Sequence, residues 1–198
     1  MNALILVDLQ NDFVLGGALA VPQGDEVIEV ANARMADFPL VVATQDWHPA
    51  DHGSFAENHP GRQPGDVIHL HGLKQILWPV HCVQETSGAA LVPGLNTDGV
   101  HEVVRKGTDP RVDSYSGFFD NGRKQATGMT DLLRARGVKH VTIMGLALDY
   151  CVKFTALDAI SEGFKVALLT DGSRPVDLKP GDGERAVDEM FALGVEIL

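Results

Sequence analysis

Three residues of the chain have the types and positions needed for covalent acyl transfer. Cys151 lies in GLALDYCVKFTALDA, where an apolar run gives way to a helical pattern. A helix N-terminus and a nearby cation both favour a thiolate. Lys106 closes the run VHEVVRKG and could supply that cation, while Asp8 closes ALILVD and could take the thiol proton. Each residue also has an ordinary alternative: an inert buried thiol, a solvated lysine and a turn-forming aspartate.

A second set of residues has the composition of a metal site. QDWHPADHGSF supplies Asp46 and His48, and the distant segment WPVHCVQ supplies His81. One carboxylate and two imidazoles suit Zn, Fe or Mn and leave coordination positions open for water and substrate. Spacing alone supports this site weakly, because the chain contains eight histidines.

The few aromatic residues lie mainly in loops that follow predicted strands. A flat, planar substrate needs aromatic walls, and Phe13 and Trp78 suit that purpose. Core packing is the alternative interpretation, and it is the one we favour for Trp47. No GxGxxG follows the first strand and no GxxxxGK[ST] occurs, so a nucleotide-binding site lacks its usual sequence support.

Alternating strand-like and helix-like segments must position these residues. Apolar runs predict strands at 3–8, 40–48, 100–107, 140–147, 165–172 and 195–198. Helical spacing predicts helices at 25–38, within 120–136, at 150–162 and at 183–193, and the long stretch 49–99 has little periodicity. This order predicts a parallel sheet with helices on both faces, in which ligands bind beyond the carboxyl ends of the strands. Asp8, Asp46, Lys106 and the segment leading to Cys151 would then share one rim.

Bulk properties restrict the class of protein. The 198 residues, of which 44% are hydrophobic, suit one α/β domain over 1–198. A formal charge of −11 argues against nucleic acid and anionic membranes as partners. The N-terminus lacks a basic region and predicts a strand instead of a signal peptide, and no apolar run predicts a membrane span. Two distant cysteines indicate free thiols and a cytoplasmic location.

Five segments together resemble the isochorismatase-like cysteine hydrolases, and within them most the nicotinamidases, also called pyrazinamidases. The segments are LVDLQNDF, TQDWHP, WPVHCVQ, RKGTDP and GLALDYCVKFTALDA, which span residues 6 to 159 in the expected order. DLQNDF alone marks only the superfamily. The resemblance implies a Rossmann-like, three-layer α/β/α fold with a six-stranded, mostly parallel sheet.

The resemblance also implies roles for individual residues. Cys151 would be the nucleophile, Asp8 the general base and acid, and Lys106 the cation that stabilises the thiolate and the intermediate. The backbone N–H groups of Ala147 and Cys151 would form an oxyanion hole, next to a cis peptide between Leu146 and Ala147.

The same resemblance implies a cofactor and a substrate pocket. One divalent ion per chain, Zn, Fe or Mn with Zn favoured, would be bound by Asp46, His48 and His81 and would hold the pyridine nitrogen of nicotinamide. His52 is left open as an additional ligand. Phe13 and Trp78 would sandwich the ring, with Tyr115 nearby.

The implied reaction is hydrolysis of nicotinamide to nicotinate and ammonia through a thioester, in NAD salvage, with pyrazinamide as a second substrate. A metal-free N-carbamoyl or ureido amidohydrolase is the main alternative, and the ligand set Asp46, His48 and His81 argues against it. An isochorismatase would need no nucleophilic cysteine, and a non-catalytic binding module would need neither set of residues. Monomers and homo-oligomers are both compatible with the sequence.

Overall fold

A six-stranded sheet in which every neighbouring pair is parallel forms the centre of the computed structural model, which describes residues 1–198. The strands are β1 Asn2–Val7, β2 Val41–Asp46, β3 Val67–Leu70, β4 Leu73–Ile76, β5 Glu102–Lys106, β6 His140–Leu146, β7 Lys165–Arg174 and β8 Glu196–Ile197. Their order in the sheet is β5-β2-β1-β6-β7-β8, while β3 and β4 form a separate antiparallel hairpin. The predicted α/β fold is therefore confirmed.

Four helices cover the two faces of the sheet. They are α1 Val27–Met35, α2 Met129–Ala135, α3 Lys153–Ser161 and α4 Asp182–Ala192. Alternate residues of β1 point to opposite faces, so Ile5 belongs to the cluster packed by α2, α3 and α4, while Leu6 belongs to the cluster packed by α1. Loop segments complete the α1 side, giving the expected three layers. None of the helices is long and apolar enough to cross a membrane.

The structure differs from the sequence-based expectation in two loop regions. The stretch 49–99 contains the β3–β4 hairpin, whose strands are short and partly exposed and so have no continuous apolar run. Within 120–136 only Met129–Ala135 is helical. Before it, the carboxylate of Asp120 accepts hydrogen bonds from the backbone N–H groups of Lys124 and Gln125, at 3.0 and 2.8 Å, which stabilise a turn.

The order of the strands creates a crevice between β1 and β6. From β1 the chain passes to β2 on one side, whereas β6 pairs with β1 on the other side. Open parallel sheets bind ligands at the carboxyl ends of strands where the order reverses in this way. The fold therefore places a binding crevice at the rim that the sequence predicts.

Candidate active site

Four adjacent strands bring the predicted acyl-transfer residues together. Lys106 and Asp46 are the last residues of β5 and β2 and are register partners in the sheet. Asp8 directly follows β1. Cys151 follows β6 through a cis peptide between Leu146 and Ala147 and a π-helical turn, Leu148–Val152, that runs into α3.

Lys106 occupies the centre of this group. Its Nζ lies 2.8 Å from Asp8 Oδ2, 2.5 Å from Asp46 Oδ1 and 3.4 Å from Cys151 Sγ, and it donates to the carbonyl of Ser114 at 3.0 Å. Its side chain is fully buried. Burial would lower the pKa of Lys106, but Asp46 and Asp8 outweigh burial and raise that pKa well above its ordinary value. Lys106 is therefore a permanent cation between two carboxylates and the thiol.

Asp8 is held in an unusual backbone conformation by Thr44. Asp8 has a φ of +51°, and its backbone N–H donates to Thr44 Oγ1 at 3.1 Å. The same hydroxyl donates to Asp8 Oδ1 at 2.6 Å, which leaves Oδ2 for Lys106. Burial raises the pKa of Asp8, with Lys106 opposing the shift. A carboxyl with a raised pKa is suited to taking and returning a proton.

The surroundings of Cys151 favour the thiol over the thiolate that its position near a helix N-terminus and a cation suggests. Burial raises the pKa of Cys151 well above its ordinary value; Lys106 lowers it, but Asp8 and Asp46 add to the rise. The two nearby carboxylates outnumber the one cation, so the expectation from the helix and the lysine alone is incomplete. Ligand atoms of Cys151 and Asp8 lie within 4.8 Å of one another, so a proton acceptor is at hand.

His48 and His81 each direct one ring nitrogen at Asp46. His48 Nδ1 donates to the carbonyl of Gly107 at 2.8 Å, and His81 Nδ1 donates to the carbonyl of Pro79 at 2.7 Å. When the rings are neutral, as metal ligands must be, their Nε2 atoms therefore carry the lone pairs, and these atoms lie 3.5 and 3.9 Å from Asp46 Oδ2. His48 Nε2 is buried without a hydrogen-bond partner. A divalent cation would satisfy that nitrogen, so the donor set fits the implied metal.

Asp46 links the acyl-transfer residues to the histidine pair, because each of its two oxygens faces one of them. Oδ1 pairs with Lys106, and Oδ2 faces the two imidazoles. Burial would raise the pKa of Asp46, but Lys106 and His48 outweigh it and hold that pKa far below its ordinary value. Gln10 fixes the backbone here, because its side chain accepts from Asp46 N and donates to Asp46 O, each at 2.8 Å. Gln10 lies inside DLQNDF, yet nothing in its residue type indicated this role.

His52 differs from His48 and His81 in its hydrogen bonding. Its ring stacks 4.2 Å from that of His48, and its Nδ1 accepts the backbone N–H of Ser54 at 3.2 Å. An accepting Nδ1 assigns the proton of the neutral ring to Nε2, which is buried without a hydrogen-bond partner. His52, His48 and Asp113 form a further group with donor atoms close together. The trio with two free Nε2 lone pairs is nevertheless Asp46, His48 and His81.

A cleft of about 410 Å³ opens next to both groups. The residues that line it include Cys151, Asp46, His81 and Ala147 together with the predicted aromatic residues Phe13, Trp78 and Tyr115. Its mostly apolar lining with a few polar groups is typical of sites for small ring compounds. Five lining residues were not predicted from the sequence: Leu19, Val21, Asp113, Tyr150 and Val176.

Hydrogen bonds hold one aromatic wall of the cleft in place. Trp78 Nε1 donates to the hydroxyl of Tyr115 at 3.2 Å, and Gln75 Nε2 lies 3.3 Å from the same hydroxyl. Trp47, in contrast, is not part of the cleft; it packs against the α1-side core with the guanidinium of Arg105 3.9 Å above its ring. Its assignment as a packing residue agrees with that position.

Comparison with known proteins identifies the family. The isochorismatase domain family matches residues 2–198. The chain belongs to the isochorismatase family. Among characterised relatives, the nicotinamidase of Escherichia coli (strain K12) is 52% identical over 201 residues, covering 99% of this chain and 93% of the relative. The expected resemblance to nicotinamidases is therefore confirmed, and so is the expectation of an amide hydrolase.

Two solved structures are similar over the whole chain. A yeast nicotinamidase bound to the inhibitor nicotinaldehyde has a TM-score of 0.95 at 35% identity, covering 100% of this chain and 99% of the other. A pyrazinamidase of Pyrococcus horikoshii in complex with zinc has a TM-score of 0.81 at 42% identity, covering 100% of this chain and 98% of the other. Those ligands belong to the two neighbours and guide the proposal that follows.

Proposed function

We propose that the protein is a nicotinamidase that hydrolyses nicotinamide to nicotinate and ammonia through a thioester on Cys151. One observation carries this proposal: Cys151, Asp46 and His81 line one aromatic cleft, and Lys106, Asp8 and His48 are buried next to them. The trio would be superfluous in a metal-free carbamoyl or ureido amidohydrolase, whereas a substrate with a ring nitrogen can use it.

Asp46, His48 and His81 would hold one divalent ion, with zinc favoured. The ligand chemistry and the zinc complex of the Pyrococcus horikoshii neighbour support this choice. When bound, the ion would supply a Lewis acid that anchors and polarises the pyridine ring. Because Asp46 Oδ1 is engaged by Lys106, the ligand oxygen would be Oδ2.

Phe13, Trp78 and Tyr115 would hold the ring, and their aromatic surfaces match a flat heterocycle in size and shape. Trp78 is fixed through its hydrogen bond to Tyr115, so the wall is preformed. Fixing the ring places the carboxamide carbon next to Cys151 Sγ and reduces the entropy that remains to be lost before reaction.

The first half of the reaction forms the thioester. Asp8 accepts the thiol proton of Cys151, and Lys106 stabilises the resulting thiolate as Sγ attacks the carboxamide carbon. The carbonyl oxygen becomes an oxyanion, which the backbone N–H groups of Ala147 and Cys151 would receive; one such donor contributes about 3–4 kcal/mol in other enzymes. Asp8 then passes its proton to the amide nitrogen, the C–N bond breaks, and ammonia leaves.

The second half releases nicotinate. Asp8, again a carboxylate, removes a proton from a water molecule as that water attacks the thioester carbon. The second tetrahedral intermediate collapses, the C–S bond breaks, and Sγ recovers a proton from Asp8. The carboxylic acid product leaves and loses its proton to water to become nicotinate. Burial of Cys151 favours its neutral thiol between turnovers, so the resting pair of thiol and Asp8 carboxylate is restored without an external acid.

The proposal extends to the cellular context. Nicotinate release would place the protein in NAD salvage, and pyrazinamide, which keeps the carboxamide and a ring nitrogen, would be a second substrate. Cys82 and Cys151 are both free, which suits a reducing compartment such as the cytoplasm. We assign the activity to the chain as a single domain over 1–198.

The decisive experiment measures ammonia release from nicotinamide by zinc-loaded protein and by two cysteine variants. Cys151→Ala should abolish release while metal content and thermal unfolding stay unchanged. Cys82→Ala, which removes the other buried thiol, should retain turnover because Cys82 packs in the α1-side core and does not line the cleft. Turnover retained by Cys151→Ala would contradict the nucleophile, and no release by the loaded wild type would contradict the substrate.

A further inference from the structure

Two side chains, Tyr115 and Tyr150, separate the active-site cleft from a second cavity. The second cavity has a volume of about 940 Å³ and is lined by residues of β4, α3 and α4. Tyr115 and Tyr150 line both cavities. They therefore form the partition between the space beside Cys151 and the outer cavity.

The two tyrosines differ in how firmly they are held. The Tyr115 hydroxyl accepts a hydrogen bond from Trp78 and lies within hydrogen-bond distance of Gln75. The half-buried Tyr150 is held through its ring, which meets the rings of Trp78 and Tyr115 edge-on, with centroids 5.0 and 5.5 Å apart. No hydrogen bond within the chain involves its hydroxyl. Tyr150 therefore contributes to the partition only through the packing of its ring, whereas Tyr115 also takes part in hydrogen bonds.

The backbone at Tyr150 is anchored independently of its side chain. Tyr150 N donates to Ala147 O at 3.1 Å. The preceding carboxylate, Asp149, accepts the backbone N–H groups of Val176 and Asp177, each at 2.9 Å. Removing the ring should thus open the partition while the turn that carries Cys151 keeps its position.

The outer cavity could hold an uncharged or zwitterionic group. Three cations and three carboxylates line it: Lys74, Lys153, Arg185, Asp149, Asp182 and Glu189. Two of the cations are paired, Lys153 with Glu189 at 3.2 Å and Arg185 with Asp182 at 2.6 Å. Phe154, which is 37% exposed, adds an aromatic surface next to Tyr115. A phenyl substituent on a substrate ring would find apolar contacts there.

We infer that Tyr150 sets the size limit of the substrate: its ring admits unsubstituted nicotinamide-type amides and excludes those whose ring carries a further group on the side facing the outer cavity. This inference rests on the proposed function and deepens it. Because the carboxamide must reach Cys151, only part of the substrate ring can face Tyr150. The exclusion should therefore depend on the position of the substituent.

The test compares kcat/KM for nicotinamide with kcat/KM for a set of phenylnicotinamides that carry the phenyl group at each free ring carbon in turn. Tyr150→Ala should raise the ratio of substituted to unsubstituted substrate by at least about tenfold for one or two isomers. Tyr150→Phe keeps the ring and should keep the wild-type ratio. Tyr150→Leu should raise the same ratio of kcat/KM values by a smaller factor than Tyr150→Ala. If the alanine variant does not fold, the leucine variant provides the comparison with wild type.

Two outcomes would overturn the inference. One is the absence of a gain for any isomer in Tyr150→Ala and Tyr150→Leu. The other is an equal gain for every isomer, which would indicate general loosening of the cleft. Nicotinamide turnover by the wild type separates these outcomes from failure of the proposed function, since wild-type protein inert towards nicotinamide would remove the function itself.

Discussion

Replacing Lys106 by methionine should destabilise the protein in a way that depends on pH. The variant keeps an unbranched side chain of similar length but removes the only cation between Asp8 and Asp46. With those two carboxylates, the local formal charge changes from −1 to −2. Removing one partner of a buried ion pair costs about 3–5 kcal/mol, because the remaining charge has no compensation.

Protonation of Asp8 limits the part of this penalty that comes from the Asp8 charge. Asp8 has an ordinary pKa of 3.8, so neutralising it at pH 7 costs about 1.36 × 3.2, or about 4.4 kcal/mol. At pH 5 the same step costs only about 1.6 kcal/mol. Without Lys106, the pKa of Asp8 in the folded protein should rise further, because burial raises it and Lys106 opposes that rise. The folded variant then binds more protons than the unfolded chain, so its stability falls as pH rises from 5 to 7.

Urea unfolding of metal-free protein at pH 5, 6 and 7 would measure the effect. Lys139→Met, at an exposed lysine, should stay within about 0.5 kcal/mol of wild type at each pH. Asp8→Asn added to Lys106→Met should recover part of the lost stability, because it removes one of the uncompensated carboxylates. The reasoning is refuted if the penalty is the same at pH 5 and pH 7, or if Asp8→Asn gives no recovery.

Two further predictions concern the metal ligands and are read by elemental analysis of the purified protein. His81→Ala should lower metal content and weaken nicotinamide binding, whereas His69→Ala, at an exposed position, should leave the metal in place. An unchanged ratio of metal to protein in His81→Ala would exclude His81 as a metal ligand. Gly107→Ala should weaken metal affinity about 10–100-fold, because Gly107 has a φ of +66° and a Cβ there would lie 2.4 Å from Cε1 of His48. Gly61 also has a positive φ, of +77°, but a Cβ there would meet open space, so Gly61→Ala should introduce backbone strain without loss of metal. Equal metal loss in Gly107→Ala and Gly61→Ala would refute the steric argument.

The residues at strand ends were the predictable part of this site. Apolar runs located β1, β2 and β5, and the rule that parallel strands end at one rim places Asp8, Asp46 and Lys106 together. This inference needs only the positions at which the runs stop. The resemblance to known hydrolases added the roles, and it named the cleft residues Phe13 and Trp78, which spacing alone left undecided between substrate contact and core packing.

Residues that act through long-range contacts could not be predicted. Gly107 holds His48 by its carbonyl and by its lack of a side chain, across 59 positions of sequence. Thr44 and Gln10 orient Asp8 and Asp46 in the same way, from neighbouring strands or their ends. No local pattern distinguishes such a threonine or glutamine from any other polar residue near a strand. Their roles depend on the register of the sheet, which the sequence does not display.

The state of Cys151 follows from the width of the sheet. Lys106 ends β5 and Cys151 follows β6, and the two strands are separated by three strand intervals, or about 14 Å. The contact of 3.4 Å between Nζ and Sγ therefore requires both sides to approach. The long stem of the lysine extends from β5 past Asp46 at the end of β2 to Asp8 after β1, and the turn after β6 brings the thiol to meet it. On that path the lysine ammonium contacts Asp46 and Asp8 as well as Cys151 Sγ. The thiol therefore lies close to two carboxylates whenever it lies close to the cation. A neutral thiol with a base beside it, and not a free thiolate, is the consequence of this geometry.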